Sequence, residues 1–450
     1  MKRSRCCWMV VMGMALLLGL LLLACSDEQE SGTDGDENRL EEENDSALEA
    51  ENETAALCPA LGDNIPERPF RVVENSSFYI DPYLMNTTET STVIMWETET
   101  PCIGTLEYGT SESLGKQIHD TETRKIHELK LDGLAVNTHY YYRVTSCGTT
   151  TPVFDFYTAP PKGSPVRFAV WGDDQSHPEI SSVMFRAMAD RFPYFLVSVG
   201  DVVGEGHVEL EWKTEFLDPL RPLGHSIPTW VATGSHEENS QHFYDHVSFP
   251  QSIPGDPGSE SFYSFTYGNI FFLVIDVQKV FYDVETDPEH PKTNAISAWL
   301  RGQLASQEAK DATWRIAIGH ESAFSEGWSS NCYYKGMTPV AKWLWPKLAA
   351  NHFHLYLAGH THGYERGLKD GVVQIITGGG GGDLDQWCHD FPETTVTRYI
   401  HHYLAIESGC ETLKISAYAL DNQETPFDTL TLDKDKWGEI AEEETEGGGL

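Results

Sequence analysis

The chain has 450 residues, of which 40% are hydrophobic, and its 69 Asp and Glu against 31 Lys and Arg give a formal charge of −38. That length leaves room for two or three domains with a sizeable core. An acidic body without basic stripes argues against nucleic acid as a partner.

At the start, Lys2, Arg3 and Arg5 precede an apolar run from about Trp8 to Ala24. The run is too short and wrongly flanked for a membrane span, so residues 1–25 read as an export signal. It closes as Leu22-Leu23-Ala24-Cys25, which resembles the lipobox of bacterial lipoproteins. The resemblance implies a lipid on Cys25 and a bacterial cell-envelope protein attached to its membrane through that lipid. Residues 26–65 follow, with thirteen carboxylates between Asp27 and Glu53 against Arg39 alone. Such a stretch buries too little apolar surface to offset the entropy of ordering, and reads as a self-repelling tether. Residues 433–450 read as a second disordered acidic tail. Cys58, Cys102, Cys147, Cys332, Cys388 and Cys410 remain once the signal and Cys25 are set aside; an even number in an exported chain favours disulfides. Cys332 and Cys388 both lie in loops after candidate ligand strands, which favours that pair.

Residues 66–160 read as all β, with short alternating runs at Thr92 to Glu97, Gly104 to Tyr108 and Tyr140 to Thr145 between polar turns. The stretch Ala159 to Pro165 marks a boundary. Over 165–432 apolar strands alternate with helix-like stretches at Ser181 to Arg191, Val208 to Phe216 and Ala295 to Leu304, the pattern of a layered α/β protein. Three late runs, YLAIES, CETLKISAYAL and DTLTL, read as antiparallel strands closing one sheet.

The chemistry gathers where apolar runs end. His354 to Arg366 reads HLYLAGHTHGYER, with His360 and His362 at the end of a strand; upstream, WGDDQ carries Asp173 and Gln175, VGDVVGEG carries Asp201, ATGSHEEN carries Ser235, His236 and Glu237, and AIGHES carries His320. A strand that fixes the backbone and a loop that aims carboxylate or imidazole is how a sheet edge builds a polynuclear metal centre. A carboxylate bridges two cations and an imidazole does not. Two ions about 3.5 to 4 Å apart activate a water and neutralise a phosphoryl group in line with it.

The order GD, GDxx, GSHE, GH, GHxH resembles the calcineurin-like metallophosphoesterases, and the β-rich region with GHTHGYER is similar to their purple acid phosphatase branch. Within that region, LDGLAVNTHYYYRV and TVIMWETET resemble fibronectin type III strands. The resemblance implies a four-layer α/β sandwich of two mixed sheets flanked by helices, preceded by an all-β sandwich. It also implies two metal ions, of iron, zinc or manganese, and hydrolysis of a small phosphate monoester by metal-bound hydroxide. Asp173 and His362 would hold the first ion, with Gln175 where the wider superfamily has a His. Asp201 would bridge, and His320 and His360 would hold the second. His236 would bind the phosphate or protonate the leaving group, with Glu237 orienting its ring. Three departures matter: Gly204 replaces a Tyr ligand, Gln175 occupies that His slot, and Ser235 replaces a metal-binding Asn. Ser235 motivates a second reading, a weakly active or inactive surface lipoprotein with a binding role; a phosphodiesterase is a third, disfavoured by the acidic body. Among the other residues, Asp174 is expected to point outward. His352, His354, His401 and His402 are expected to be structural, Gly378 to Gly382 to form a tight loop rather than an anion cradle, and His177 and His207 to lie near the ligand loops.

Overall fold

The computed structural model describes residues 58, 65–73, 77–253, 259–278 and 291–439. The export signal, Cys25, nearly all of the acidic tether and residues 440–450 of the expected tail lie outside the described residues; the first part of that tail is not disordered, since Asp433 ends a strand and the Trp437 indole N–H donates to the Phe353 carbonyl at 2.9 Å.

Two sheets form the body. A nine-stranded sheet runs Asp428–Asp433, Thr412–Ala419, His402–Ser408, Val166–Trp171, Phe195–Ser198, Thr229–Val231, Ile80–Met85, Ser91–Cys102, Arg124–Asp132; a seven-stranded sheet runs Tyr263–Tyr267, Ile270–Val274, Trp314–Ile318, Leu355–Ala358, Val372–Thr377, Tyr364–Lys369, Thr394–Arg398. Both are mixed, with parallel strands at the centre and antiparallel strands toward the edges. Phe195–Ser198, Ile270–Val274 and Leu355–Ala358 are buried at every position. This is why they read as unbroken apolar runs: a central parallel strand is covered on both faces. Between the sheets, Phe168 stacks on Phe195 at 4.8 Å, and Phe272 from the other sheet meets both rings edge-on at 5.4 and 5.6 Å.

Helices cover the outer faces. Pro178–Ala189 buries Ser181, Met184, Phe185 and Met188, one stripe at helical spacing. It begins earlier than the expected Ser181 because Pro178 has a preset φ suited to the first turn. Helical residues 209–224 include a π-helical turn at Trp212–Leu217, so the expected helix from Val208 continues beyond Phe216. On the opposite face, Ile296, Leu300, Val340, Leu344 and Leu348 pack against Phe271, Leu273, Ala317 and Tyr356. The result is the helix–sheet–sheet–helix sandwich that the motif order implies.

The all-β region is stitched into this body. Its five-stranded sheet, with His139–Ser146 at the centre, alternates buried and half-buried positions and packs through Leu106, Tyr142, Val144 and Phe156 onto Leu84, Ile94, Trp96 and Leu131. The strands that it faces, Ile80–Met85, Ser91–Cys102 and Arg124–Asp132, are the last three of the nine-stranded sheet, joined by the parallel pair Met85 and Thr229. Disulfides link Cys58 to Cys410, Cys102 to Cys147 and, as favoured from the sequence, Cys332 to Cys388.

Candidate metal centre

Five loops leave the C-terminal ends of parallel strands and converge, the usual place for a site in such sheets. Asp173 follows Val166–Trp171, Asp201 follows Phe195–Ser198, and Ser235 to Glu237 follow Thr229–Val231. His320 follows Trp314–Ile318, and His360 and His362 follow Leu355–Ala358. The backbone turns on the functional residues themselves: φ is +59° at Asp173, +55° at Asp201 and +68° at His360. Non-glycine residues seldom adopt such angles, and their strain is held by the surrounding fold. Gly200, next to Asp201, turns with them at φ +105°, whereas Gly359 and Gly234 serve close approach. A Cβ on Gly359 would stand 2.2 Å from Asp173 Oδ2, and one on Gly234 would stand 2.3 Å from Asp201 Oδ1.

Asp201, His320 and His360 each bring a ligand-type atom within 4.8 Å of the others. Asp201 Oδ2 lies 2.9 Å from His320 Nε2 and accepts the Ser235 hydroxyl at 3.0 Å, while Oδ1 accepts the His236 N–H at 2.7 Å. Nδ1 of His320 donates to the Val199 carbonyl at 3.0 Å, which turns Nε2 toward the carboxylates. Asp173 Oδ1 lies 3.6 Å from His362 Nε2 and 4.0 Å from His320 Nε2, and it accepts the His360 N–H at 2.9 Å. Gln175 Nε2 is 3.3 Å from His362 Nε2, and Gln175 Oε1 is buried with no hydrogen-bond partner among the described residues.

Burial and charge separate the two carboxylates. Burial raises Asp173 to about 6, although His320 and His362 oppose it. Asp201 is buried as well, but the charge and hydrogen bond of His320 outweigh burial and hold it below the ordinary carboxylate range. His320 responds in kind: burial favours its neutral form, and Asp201 and Asp173 overcome that and raise it. His360, pressed by burial and by His320, falls to about 3. The cluster therefore combines carboxylate oxygens with imidazole nitrogens, of which His320 would give up its proton to a bound cation, a donor set suited to transition metals.

Comparison with known proteins identifies the region that carries these loops. The family model for calcineurin-like phosphoesterases matches residues 167–364, and that for the purple acid phosphatase N-terminal domain matches residues 80–158. The chain carries a calcineurin-like metallophosphoesterase domain. Purple acid phosphatase 22 of Arabidopsis thaliana is 27% identical over 274 residues, 57% of this chain and 59% of that protein. Purple acid phosphatase 21 of the same plant is 28% identical over 250 residues, 54% of this chain and 53% of that protein. The chain thus spans little more than half the length of these relatives. A purple acid phosphatase from yellow lupin shares the fold, with a TM-score of 0.64 at 15% identity over 78% of this chain and 74% of the lupin chain.

Within the metallophosphoesterase domain, Asp173, Gln175, Asp201, Ser235, His320, His360 and His362 all come together. His236 stands at the exposed rim with Nδ1 donating to the Gly204 carbonyl. Glu237 does not orient that ring as expected. Its buried carboxylate accepts the N–H groups of Asp201 at 3.1 Å and Val202 at 2.7 Å, together with that of Gly234, so it holds the loop beneath Asp201. Asp174 does not point outward either: it is fully buried and accepts the Trp171 indole N–H at 2.9 Å. In the glycine run, the Gly380 and Gly382 N–H groups donate to the Gly172 and Asp173 carbonyls, which makes it a brace for the Asp173 loop. His354 and His402 are buried in packing, and His177 and His207 lie near the ligand loops, paired with Asp383 and Glu238.

Sequence reasoning missed the aromatic wall. Trp328 and Tyr334 pack against His360 with ring centroids at 4.9 and 4.7 Å. The only signal was the aromatic density of the segment GWSSNCYYK.

Proposed function

We propose that this chain hydrolyses phosphate monoesters at a dinuclear metal centre, from a lipid-anchored position on a bacterial cell envelope. The observation that carries this reading is Asp201, a buried carboxylate 2.9 Å from His320 Nε2 in a cluster with His360, beside the Asp173 and His362 pair. These residues fit two ions. Asp201 has two oxygens for a bridge, His320 and His360 offer nitrogens on one side, and Asp173, His362 and the unpartnered Gln175 Oε1 offer donors on the other. When bound, the metals would supply Lewis acidity toward the phosphoryl group and an activated water. His236 would serve the phosphate or the departing oxygen. Burial lowers its pKa, Asp201 and the Gly204 carbonyl outweigh this and raise it, and with Nδ1 donating to that carbonyl the ring is held at the rim.

Ser235 supports a second reading, a weakly active relative. Its hydroxyl hydrogen-bonds the proposed bridge instead of supplying an amide oxygen. The test is metal analysis together with turnover of p-nitrophenyl phosphate and its bis-ester. Two ions per chain, faster cleavage of the monoester and loss of both ions in Asp201→Ala are expected. A metal-loaded protein with no turnover would favour the second reading, and a preference for the bis-ester would favour a phosphodiesterase. For the anchor, Cys25→Ser should release the protein from the detergent phase; equal partitioning of parent and variant would overturn it.

A further inference from the structure

The rim of the site is lopsided. On the His362 side stand Asp383, His177 and Asp385; the Asp383 carbonyl accepts the His362 ring N–H at 2.7 Å, and the Asp383 side chain is solvent-exposed. On the His360 side stand rings. Trp328 lies 4.9 Å from His360, and Tyr334 meets both Trp328 and His360 at 4.7 Å with its hydroxyl 3.2 Å from the Ser322 N–H. Tyr333 leans edge-on against Trp328 at 5.4 Å and is 70% exposed. A continuous run of rings therefore leads from a proposed ligand to the surface.

The segment that carries them is fixed. Gly327–Trp328 pairs with Gln386–Trp387, the Cys332–Cys388 disulfide closes the loop, and Glu365 accepts the N–H groups of Glu326 at 2.8 Å and Gly327 at 2.7 Å. With the backbone pinned on its N-terminal side, the exposed Tyr333 ring beside Trp328 offers a flat face with less ordering entropy to lose on binding than a ring on a free loop. The body is acidic and offers no general attraction to anions, whereas the ring face offers apolar contact to an uncharged leaving group.

We infer that Tyr333, backed by Trp328, receives the leaving group and selects monophosphate esters of uncharged, planar aromatic alcohols. The acidic lip at Asp383 works against leaving groups that carry further anionic charge. This rests on the phosphatase reading above, and its test separates the two.

The affinities of the metal-loaded protein for phenylphosphonate and methylphosphonate, which need no turnover, are measured beside kcat/KM for phenyl phosphate and glycerol 2-phosphate. Tyr333→Ala should weaken phenylphosphonate about tenfold and leave methylphosphonate within about twofold. The same split should appear between the two esters, carried by KM, while Tyr333→Phe keeps the parent preference. Equal losses on aryl and alkyl compounds, or no loss on either, would overturn the inference. If the phosphonates split as expected but no ester turns over, Tyr333 is the selecting surface and the phosphatase reading fails. No phosphonate binding at all overturns both.

Discussion

Buried carboxylates do two kinds of work around this centre. Asp173 and Asp201 face the cluster, whereas Glu237 and Glu365 spend their oxygens on backbone N–H groups that would otherwise be buried without acceptors. In the run GHTHGYER, Glu365 ties the aromatic segment at Glu326 and Gly327, and Tyr364 and Arg366 both bond Asp428 on the neighbouring sheet. Ser235 is the residue where this chain's chemistry differs most from the resembled pattern. An Asn there carries an amide oxygen that a hydroxyl lacks, and weakening a direct ligand should cost at least the 10 to 100-fold typical of outer-shell changes. Ser235→Asn should therefore retain the second ion better on dialysis and raise activity at limiting metal; a parent already dinuclear, with a variant no tighter and no faster, would show that Ser235 or a water it holds suffices. Apart from Gln175, the residues that meet at the centre were legible because each lies next to a glycine where an apolar run ends. Glu237 was misread and Asp174 misplaced, because a carboxylate beside a ligand looks the same in sequence whether it points at a ring, at solvent or at backbone donors 35 residues away.

At the scale of elements, the two histidines of GHTH are held from outside by one strapped pair of loops. The His362 N–H donates to Asp385 Oδ2 at 2.8 Å and the Asp385 N–H donates back to the His362 carbonyl at 3.0 Å, while Trp328 on the other loop lies against His360. Cys332–Cys388 joins these loops across 56 residues, a closure that removes about 4 kcal/mol of unfolded-chain entropy on a chain-entropy account. The Cys332→Ser, Cys388→Ser double variant should melt earlier and also lose metal faster to a chelator at a temperature where it is fully folded. The second readout separates a strap on the site from a general stabiliser: metal loss at the parent rate would leave only stability. This pairing was favoured from sequence because both cysteines follow ligand strands. Cys58–Cys410 and Cys102–Cys147 were not, since position alone does not order the remaining four.

Across the whole molecule, the change of pattern near Pro165 does not interrupt the sheet. Ile80, Tyr83, Met85, Val93 and Met95, all before that point, share a core with Phe168, Phe195 and Trp230, and Tyr142 reaches the His225 carbonyl at 2.7 Å. Alternation told that these segments are strands but not which sheet they join, because a strand at the seam and one in a separate sandwich bury the same kind of face. Such a body should unfold as one unit, and its response to acid follows from histidines held neutral inside it. His354 and His402 are both pushed down to about 4, mainly by burial. His354 Nδ1 accepts the Arg315 N–H at 3.1 Å; His402 donates from Nδ1 to the Ile400 carbonyl at 2.9 Å and lies 3.1 Å from the Thr377 hydroxyl through Nε2. Each pattern suits the neutral ring. Between pH 6.5 and 4 the unfolded chain therefore binds protons at these positions that the folded chain refuses, so their contribution to stability is full above pH 6.5 and is lost as pH falls, about 2 kcal/mol for each ring by pH 5. Glu365, raised to about 7 by burial, acts in the opposite sense: the folded chain binds its proton more readily between pH 4.5 and 7, and stability drawn from it declines as pH rises through that window. Because the two trends overlap, one ring has to be isolated. Urea unfolding of the parent and of His354→Phe at pH 8 and pH 5 does so. The variant should be weaker than the parent at pH 8, having left the Arg315 N–H without its acceptor, yet its change between the two pH values should be more favourable by about 2 kcal/mol; parallel changes would mean that His354 titrates in the folded protein as it does in water.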